Sequence, residues 1–265
     1  MKLKIQIGFV LLVAMLLFSI VMWVRYTRSH VHDLPSIMES GRLSVLTDSG
    51  RMGFSVKGDS VSGFQYEIVK AFADTLGLEL VVTEQSDLKA CMEDLNSGDY
   101  DIIADFVPIT TEWKGQALFT NPLFVSRQVL VQRFVTDSTL VTIPHQLAND
   151  SVFIPLNSAY KMRLMHLSDE IAEPVHIIEM KNMGTEQLVR MVAEGKIKNT
   201  ICDEKFAKIL KLQYPDIDIS FPIGFEQQQA WVVHLKSPLL LARLNEFLSD
   251  FIGSSAYWEI YSKYH

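Results

Sequence analysis

The stretch LNSGDYDIIADFVPITTEWK, residues 95–114, contains a helix end, a buried strand and a polar turn. Its run at residues 100–105 has the length and apolar content of a strand that is covered on both faces. The preceding residues 87–96 place Leu88, Cys91 and Leu95 on one side of a helix. A helix followed at once by a buried strand is typical of an α/β fold.

The same alternation continues toward the N-terminus. Residues 41–47 and 78–83 are predicted strands, and residues 64–76 are a predicted helix closed by Gly77. Together with the quoted stretch they give a β-α-β-α-β order. This order predicts a mostly parallel sheet with helices covering it.

A second unit of the same kind follows the predicted strand at residues 128–132. Its predicted strands are residues 152–155, 176–180 and 200–202, and its helices are residues 159–167, 185–194 and 204–213. The chain then returns through a strand at 230–235 and ends in helices at 238–252 and 255–263. Two α/β units joined by extended segments form a cleft, lined by loops after the strands. Those loops are residues 48–54, 105–113, 156–160 and 203.

Composition excludes several classes of protein. The 265 residues are 48% hydrophobic and 21% charged, which indicates a packed core rather than disorder. The net charge is −7, so a nucleic-acid partner is not predicted. Cys91 and Cys202 are interpreted as buried apolar residues. No cysteine or histidine spacing indicates a metal, and no cofactor is predicted.

The N-terminus carries an uncharged apolar run at residues 5–24. Its length suffices to cross a bilayer, and no small-x-small cleavage site follows it. We therefore expect a signal-anchor helix at residues 1–25 and a tether at 26–40. Lys2 and Lys4 favour a cytoplasmic N-terminus, with the folded part at the periplasmic side of the cytoplasmic membrane. A cleaved signal peptide is the alternative, and it would release the protein into the periplasm.

Five pieces in order carry a family resemblance: GFQYEIVKAFADTLGLEL (63–80), the quoted stretch, LFTNPLFVSRQVLVQR (118–133), MVAEGKIKNTICD (191–203) and YWEIYSKYH (257–265). Residues 38–265 resemble the family 3 periplasmic solute-binding proteins of the amino-acid-binding type. Within them the chain is similar to the non-catalytic domain of the membrane-bound lytic transglycosylases F.

The resemblance implies a two-lobed periplasmic-binding-protein-like (type II) α/β fold with a cleft between the lobes. Lobe 1 is expected at residues 38–125 plus 225–265, and lobe 2 at 126–224. The two crossings would serve as hinges for closure around a ligand.

The resemblance also implies site residues. The family turn reads Thr-x-x-Arg, in which the arginine holds a ligand α-carboxylate with two hydrogen bonds. Here the threonine is Thr110, but Trp113 stands at the arginine position. Trp113 is either a stacking platform for an apolar or sugar-like group or a packing residue of the loop. Asp203 matches the acid that pairs with a ligand ammonium, and it also fits an ordinary helix N-cap.

Two further positions concern anion binding. Asn157 and Ser158 match a helix start whose N–H groups face a ligand carboxylate in the family, and helix capping is the simpler reading. Arg51 either supplies a cation from another direction or is solvated.

The remaining candidates are aromatic or acidic. Phe54, Tyr66 and Phe106 stand where family clefts carry rings. Asp48 and Asp105 add negative charge, which favours a cationic or amine-bearing ligand.

The predicted function is a membrane-tethered extracytoplasmic solute-binding protein, not an enzyme. It would close on an amino acid, short peptide or peptidoglycan fragment (muropeptide) for transport or sensing, with a transporter or a cell-wall enzyme as partner. One alternative is a regulatory or degenerate module that acts with a cell-wall lytic enzyme. Another is a dehydrating enzyme in which Asp105 and Asp203 act as acid and base. A polar cleft would favour binding, whereas an apolar, collapsed cleft would favour the degenerate module.

Overall fold

The computed structural model describes residues 15–19, 32–135 and 140–264. Within these ranges there is no helix of the length and apolar character that a membrane span needs. Most of the predicted anchor, residues 1–25, lies outside the described residues, so the anchor stays a prediction.

The elements of the first part, in chain order, are α1 (Leu34–Ser40), β1 (Arg42–Thr47), β2 (Ser55–Lys57), β3 (Ser60–Ser62), α2 (Phe64–Leu76), β4 (Glu79–Glu84), α3 (Leu88–Ser97), β5 (Ile102–Pro108), α4 (Thr111–Lys114), β6 (Ala117–Phe119) and β7 (Phe124–Ser126). Those of the second part are β8 (Gln128–Arg133), a 3₁₀ turn (Pro144–Leu147), β9 (Ser151–Pro155), α5 (Tyr160–Ile171), β10 (His176–Met180), α6 (Thr185–Ala193), β11 (Asn199–Asp203), α7 (Glu204–Gln213), β12 (Ile217–Asp218), β13 (Gln227–His234), α8 (Pro238–Phe251) and α9 (Ser255–Tyr264).

Two sheets define two lobes. Lobe 1 is built on the strand order β4-β1-β5-β13-β6, with β7 also paired to β13. Lobe 2 is built on the order β10-β9-β11-β8-β12. Sheet membership changes between Ser126 and Gln128 and again between Asp218 and Gln227, so the chain crosses twice as expected. The finer boundaries given above stay predictions.

The prediction of mostly parallel sheets needs correction. Parallel pairing joins β1 to β4 and β5, and β9 to β10 and β11. However, β13 is antiparallel to β5, β6 and β7, and β8 is antiparallel to β11 and β12. The strands β8 and β13 are the first strands after the two crossings. Parallel pairing needs a crossover connection, usually a helix, and among the described residues no helix directly precedes either strand, so each pairs antiparallel with its neighbours.

Helix α2 holds the loop that borders the cleft. Its first N–H groups, those of Phe64, Gln65 and Tyr66, donate to the carbonyls of residues 51–53 at 2.9–3.2 Å. A helix start leaves such groups unpaired, so these bonds complete it. Gly63 has φ 147°, and a Cβ there would lie 2.0 Å from the Gly53 carbonyl oxygen. Glycine is therefore required at this junction.

Both ends of the described fold are attached to lobe 1. Residues 34–40, predicted as part of a tether, form α1, whose Ile37 is fully buried. The Asp33 carboxylate accepts from Leu34 N and Leu240 N, both at 2.8 Å, and so caps α1 and α8 together. At the other end, the Tyr264 hydroxyl accepts from Gly63 N at 2.7 Å.

The core of lobe 1 contains a large buried indole. Trp231 in β13 is fully buried, and its Nε1 donates to Gln65 Oε1 at 2.8 Å. Gln65 is itself fully buried in α2. The pair therefore joins the sheet to its covering helix through both packing and a hydrogen bond.

Candidate functional site

A cavity of about 70 Å³ lies between the two lobes. Its lining comes from both sheets: Asp48, Ser49, Met52, Gly53, Ser86, Leu88, Asp105, Phe106, Val107, Pro108, Gln128, Pro155, Ser158, Ala159, Tyr160, Thr185, Asp203, Phe206 and Gln229. Among these described residues none is Lys, Arg or His. The cavity therefore combines carboxyl groups with uncharged side chains.

Asp203 ends β11, and one of its carboxylate oxygens has no hydrogen-bond partner among the described residues. The residue is 4% exposed, and its Oδ1 accepts from Ser126 Oγ at 2.7 Å and from Lys205 N at 3.0 Å. Its Oδ2 is buried without a hydrogen bond. Burial raises the pKa of Asp203, although the bonds from Ser126 and Lys205 oppose the shift. The residue thus caps α7 and still leaves an acceptor at the cavity.

Asp105 sits in β5 on the lobe 1 side. Its Oδ1 accepts from the neighbouring Phe106 N, at 2.7 Å. Burial, and then the charge of Asp48, raise the pKa of Asp105 to about 7. The protonation state of this carboxyl therefore changes close to neutral pH.

Asp48 follows β1 and is more fully engaged. Its carboxylate accepts from the Ser86 hydroxyl and from the backbone N–H groups of Ser49 and Thr185. Burial is the main cause that raises its pKa. Because Thr185 begins α6 of lobe 2, Asp48 acts as a contact between the lobes.

Two glutamines from the crossing strands complete the polar lining. Gln128 in β8 and Gln229 in β13 are 5% and 4% exposed, and the Oε1 atom of each is buried without a partner. The Ser158 hydroxyl is also unpaired. Neither glutamine was predicted as a site residue. A polar side chain inside each buried crossing strand was the signal available in the sequence.

The lobes touch around this cavity. Asn157 Nδ2 of lobe 2 donates to both carboxylate oxygens of Asp87 in lobe 1, at 2.9 and 3.1 Å. Arg51 N donates to Glu186 Oε2 at 2.6 Å. The structure is therefore a closed arrangement held by polar contacts across the cleft.

Removing the Asn157 amide should favour opening. Asn157 has φ 52°, so Asn157→Gly removes the side chain without straining the backbone. Loss of the bonds to Asp87 should cost about 1–2 kcal/mol of closure and weaken ligand binding about 5- to 30-fold. Calorimetry measures the affinity, and small-angle scattering measures the opening. Asn149→Gly, at φ 59°, is the matched control. Equal affinities for the two variants would contradict the prediction.

Several predicted residues lie outside the cavity. Thr110, Trp113, Asn157 and Ser158 line an adjoining groove of about 580 Å³, and Ser158 alone of these also lines the cavity. Trp113 packs against the lobe 1 cluster that contains Leu46, Ile103 and Val107. The ring is therefore held by the lobe and does not occupy the place of a cleft cation.

Arg51 and two predicted rings point elsewhere. Arg51 Nη2 donates to Lys263 O at 2.9 Å, near the C-terminal end of the fold. Phe54 and Tyr66 pack edge to face with their centroids 5.3 Å apart, and neither lines the cavity. Of the predicted aromatic residues Phe106 does line it. Within the described ranges, no group of three His, Cys, Asp or Glu residues could hold a metal ion.

The raised pKa of Asp105 predicts a pH effect on stability. A carboxyl whose pKa is higher in the folded chain holds its proton there between about pH 4 and about pH 7, so stability falls as pH rises through this window. The free energy of unfolding should fall by about 1 kcal/mol or more between pH 5 and pH 8, and Asp105→Asn should abolish this fall. Urea unfolding of both proteins tests this. Parallel pH profiles would contradict it.

The sequence matches a family model and several curated proteins. The model of the bacterial extracellular solute-binding proteins, family 3, matches residues 43–265. The membrane-bound lytic murein transglycosylase F of Desulfosudis oleivorans is 30% identical over 245 residues, covering 92% of this chain and 53% of that protein. The one from Pseudomonas putida is 28% identical, covering 81% and 44%. The chain thus spans about half the length of these curated relatives.

Solved structures share the fold. An ancestral arginine-binding protein bound to arginine has a TM-score of 0.72 and 22% identity, covering 84% of this chain and 98% of that one. A solute receptor for L-cysteine of Neisseria gonorrhoeae has a TM-score of 0.75 and 16% identity, covering 88% and 93%. At such identities the likeness concerns the architecture: two α/β lobes with a cleft between them.

Proposed function

The chain belongs to the family 3 bacterial extracellular solute-binding proteins, and from that premise we propose that it binds one small ligand by closing its lobes around it. The observation that carries the proposal is the cavity between the lobes, which is lined by buried polar atoms without partners. Each such atom costs about 1–3 kcal/mol when left unpaired. A ligand that pairs them stabilises the closed arrangement.

The proposed ligand is an amino acid, a short peptide or a peptidoglycan fragment. The cavity of about 70 Å³ admits the smallest of these alone. A larger fragment would extend into the adjoining groove, where Trp113 offers a flat apolar face. Solute-binding domains of this family are non-catalytic, so we propose no reaction for Asp105 and Asp203.

The proposed setting is the periplasmic side of the cytoplasmic membrane, with residues 1–25 as the anchor. The support is the apolar run at residues 5–24. A tethered binding module suits delivery to a transporter or sensing of a solute.

A second candidate is a regulatory module that acts with a cell-wall lytic enzyme. It is favoured by the relatives named lytic murein transglycosylase F, of which the chain spans about half. In that role the ligand would be a product of cell-wall cleavage.

Thermal unfolding of the purified chain with a panel of amino acids and muropeptide fragments tests both candidates. A ligand at 100 times its Kd stabilises by about 2.7 kcal/mol, which raises the Tm by about 5–10 °C for a chain of this size. A rise with amino acids supports the solute-binding role, and a rise with muropeptides alone is expected from either candidate with a peptidoglycan fragment as ligand. No rise with any compound of the panel would contradict the ligands proposed for both candidates.

A further inference from the structure

We infer that the cavity takes a small organic ammonium compound without a carboxylate group, and that an aliphatic diamine fits it. The inference rests on the proposed solute-binding function, and it assigns to the cavity a ligand other than the amino acid, peptide or muropeptide proposed above. It follows from the distribution of acceptors, donors and volume around the cavity.

Each lobe contributes a carboxyl group and an amide oxygen to the lining of the cavity. Lobe 2 contributes the free Oδ2 of Asp203 and the unpaired Oε1 of Gln128. Lobe 1 contributes the carboxyl of Asp105 and the unpaired Oε1 of Gln229. An ammonium group donates hydrogen bonds and carries the charge that a carboxylate and an amide oxygen favour. A molecule with an ammonium at each end would therefore bridge the lobes.

A ligand carboxylate finds no comparable partner among the described residues that line the cavity. The nearby cation Lys205 has its Nζ 4.6 Å from the centroid of the Phe124 ring and is not part of the lining. Arg51 is bound at the C-terminal end of the fold. A buried carboxylate beside Asp105 and Asp203 would meet like charges, which is unfavourable.

The N–H groups at the start of a helix often bind anions, but those before α5 already donate to protein acceptors. Asn157 N donates to Glu179 Oε1 at 2.9 Å, and Ser158 N donates to Pro155 O at 3.2 Å. These two N–H groups already have protein acceptors. The loop before α5 therefore offers them to no ligand anion in the closed arrangement.

The volume of the cavity limits the size of the ligand, and its apolar walls determine the chemistry of the middle of the ligand. The cavity of about 70 Å³ limits the ligand to a small molecule. Met52, Phe106 and Phe206 form apolar walls that suit a short alkyl chain. The compound 1,4-diaminobutane carries an ammonium group at each end of a short alkyl chain and is the ligand to test.

Proton exchange supports the assignment. Burial and the charge of Asp48 raise the pKa of Asp105, and Asp48 after β1, Cys91 in α3 and Tyr160 in α5 are titratable groups that interact with it electrostatically. Burial also raises the pKa of Asp203, and Lys205 acts against this shift. Binding of a cation ionises these carboxyls, so protons should be released and affinity should rise between about pH 6 and about pH 8.

Isothermal titration calorimetry of the full chain in mild detergent tests the inference. We expect 1,4-diaminobutane to bind at least about tenfold more tightly than 4-aminobutanoate, in which one ammonium is replaced by a carboxylate. Tighter binding of 4-aminobutanoate, L-alanine or L-arginine would overturn the inference and leave the proposed function standing. Binding of none of the four, or of Ca²⁺ alone, would overturn it too, and the muropeptide panel then decides on the proposed function.

A matched pair of variants tests the residue assignment. Asp105→Asn keeps the volume and the acceptor for Phe106 N but removes the charge, so diamine affinity should fall at least about tenfold and proton release should decrease. Asp101→Asn changes a carboxyl that is also buried but accepts from Ser44 N outside the cavity, and it should leave affinity unchanged. Thermal melting checks that both variants fold. Equal affinity in folded Asp105→Asn would overturn the inference.

Discussion

Asp203→Ala should abolish the ligand-induced rise in Tm while the protein stays folded. The free Oδ2 of Asp203 is the buried acceptor at the lobe 2 side of the cavity. Removing one partner of a buried charged hydrogen bond costs about 2–5 kcal/mol of binding free energy, at least about 30-fold in Kd. Stability should change by only about 1 kcal/mol, because the lost cap of α7 is offset by removal of a buried carboxyl.

A conservative substitution separates the two roles of this residue. Asp203→Asn retains an oxygen for Lys205 N and so keeps the cap. If binding depends on the charge, Asp203→Asn should lose affinity almost as strongly as Asp203→Ala, with unchanged unfolding in urea. Calorimetry with the ligand found in the thermal screen gives the comparison. Retained affinity in Asp203→Ala would remove Asp203 from the site, and retained affinity in Asp203→Asn alone would show that binding does not need its charge.

Trp231→Ala should lower the free energy of unfolding by about 3–5 kcal/mol, the range for truncation of a large buried ring. The indole is fully buried in β13, and its loss also leaves Gln65 Oε1 in α2 without a donor. The cavity and the unpaired oxygen act in the same direction. Urea unfolding followed by circular dichroism measures the change.

Two comparisons make this second prediction sharper. Trp231→Phe keeps most of the packing and removes the Nε1 donor, so it should cost about 1–3 kcal/mol. Trp258, which is 54% exposed on α9, provides the matched control, and Trp258→Ala should cost about 1 kcal/mol or less. If Trp231→Ala and Trp258→Ala had equal effects, the role assigned to the buried indole would be wrong.

Local elements were predictable because their signals are local. The predicted bounds of α2, β10 and α7 agree with Phe64–Leu76, His176–Met180 and Glu204–Gln213 in the structure. Apolar periodicity and capping residues act over one or two helical turns, so the sequence displays them directly. Strand direction depends on where a crossing segment enters the other lobe. For that reason the antiparallel pairing of β8 and β13 was not anticipated.

The candidate site was predictable in part for a similar reason. Asp48, Asp105 and Asp203 come from strand ends or strands whose position follows from the α/β order, and all three line the cavity. The directions of Trp113 and Arg51 depend on partners far away in sequence: the cluster that contains Leu46 for Trp113, and Lys263 for Arg51. Gln128 begins a predicted strand and Gln229 directly precedes another, but alternation alone does not show which faces become the cleft.

The caps at the two ends of the fold have a mechanical consequence. Asp33 fastens α1 to α8, and Tyr264 fastens α9 to Gly63, so both ends belong to the lobe that also holds Asp105. A segment that is joined to either end therefore moves together with lobe 1. Lobe 2 has both of its connections through the crossing strands and is the part free to swing. The proposed binding of a ligand in the cavity would therefore displace lobe 2 relative to lobe 1 and to both ends of the described fold.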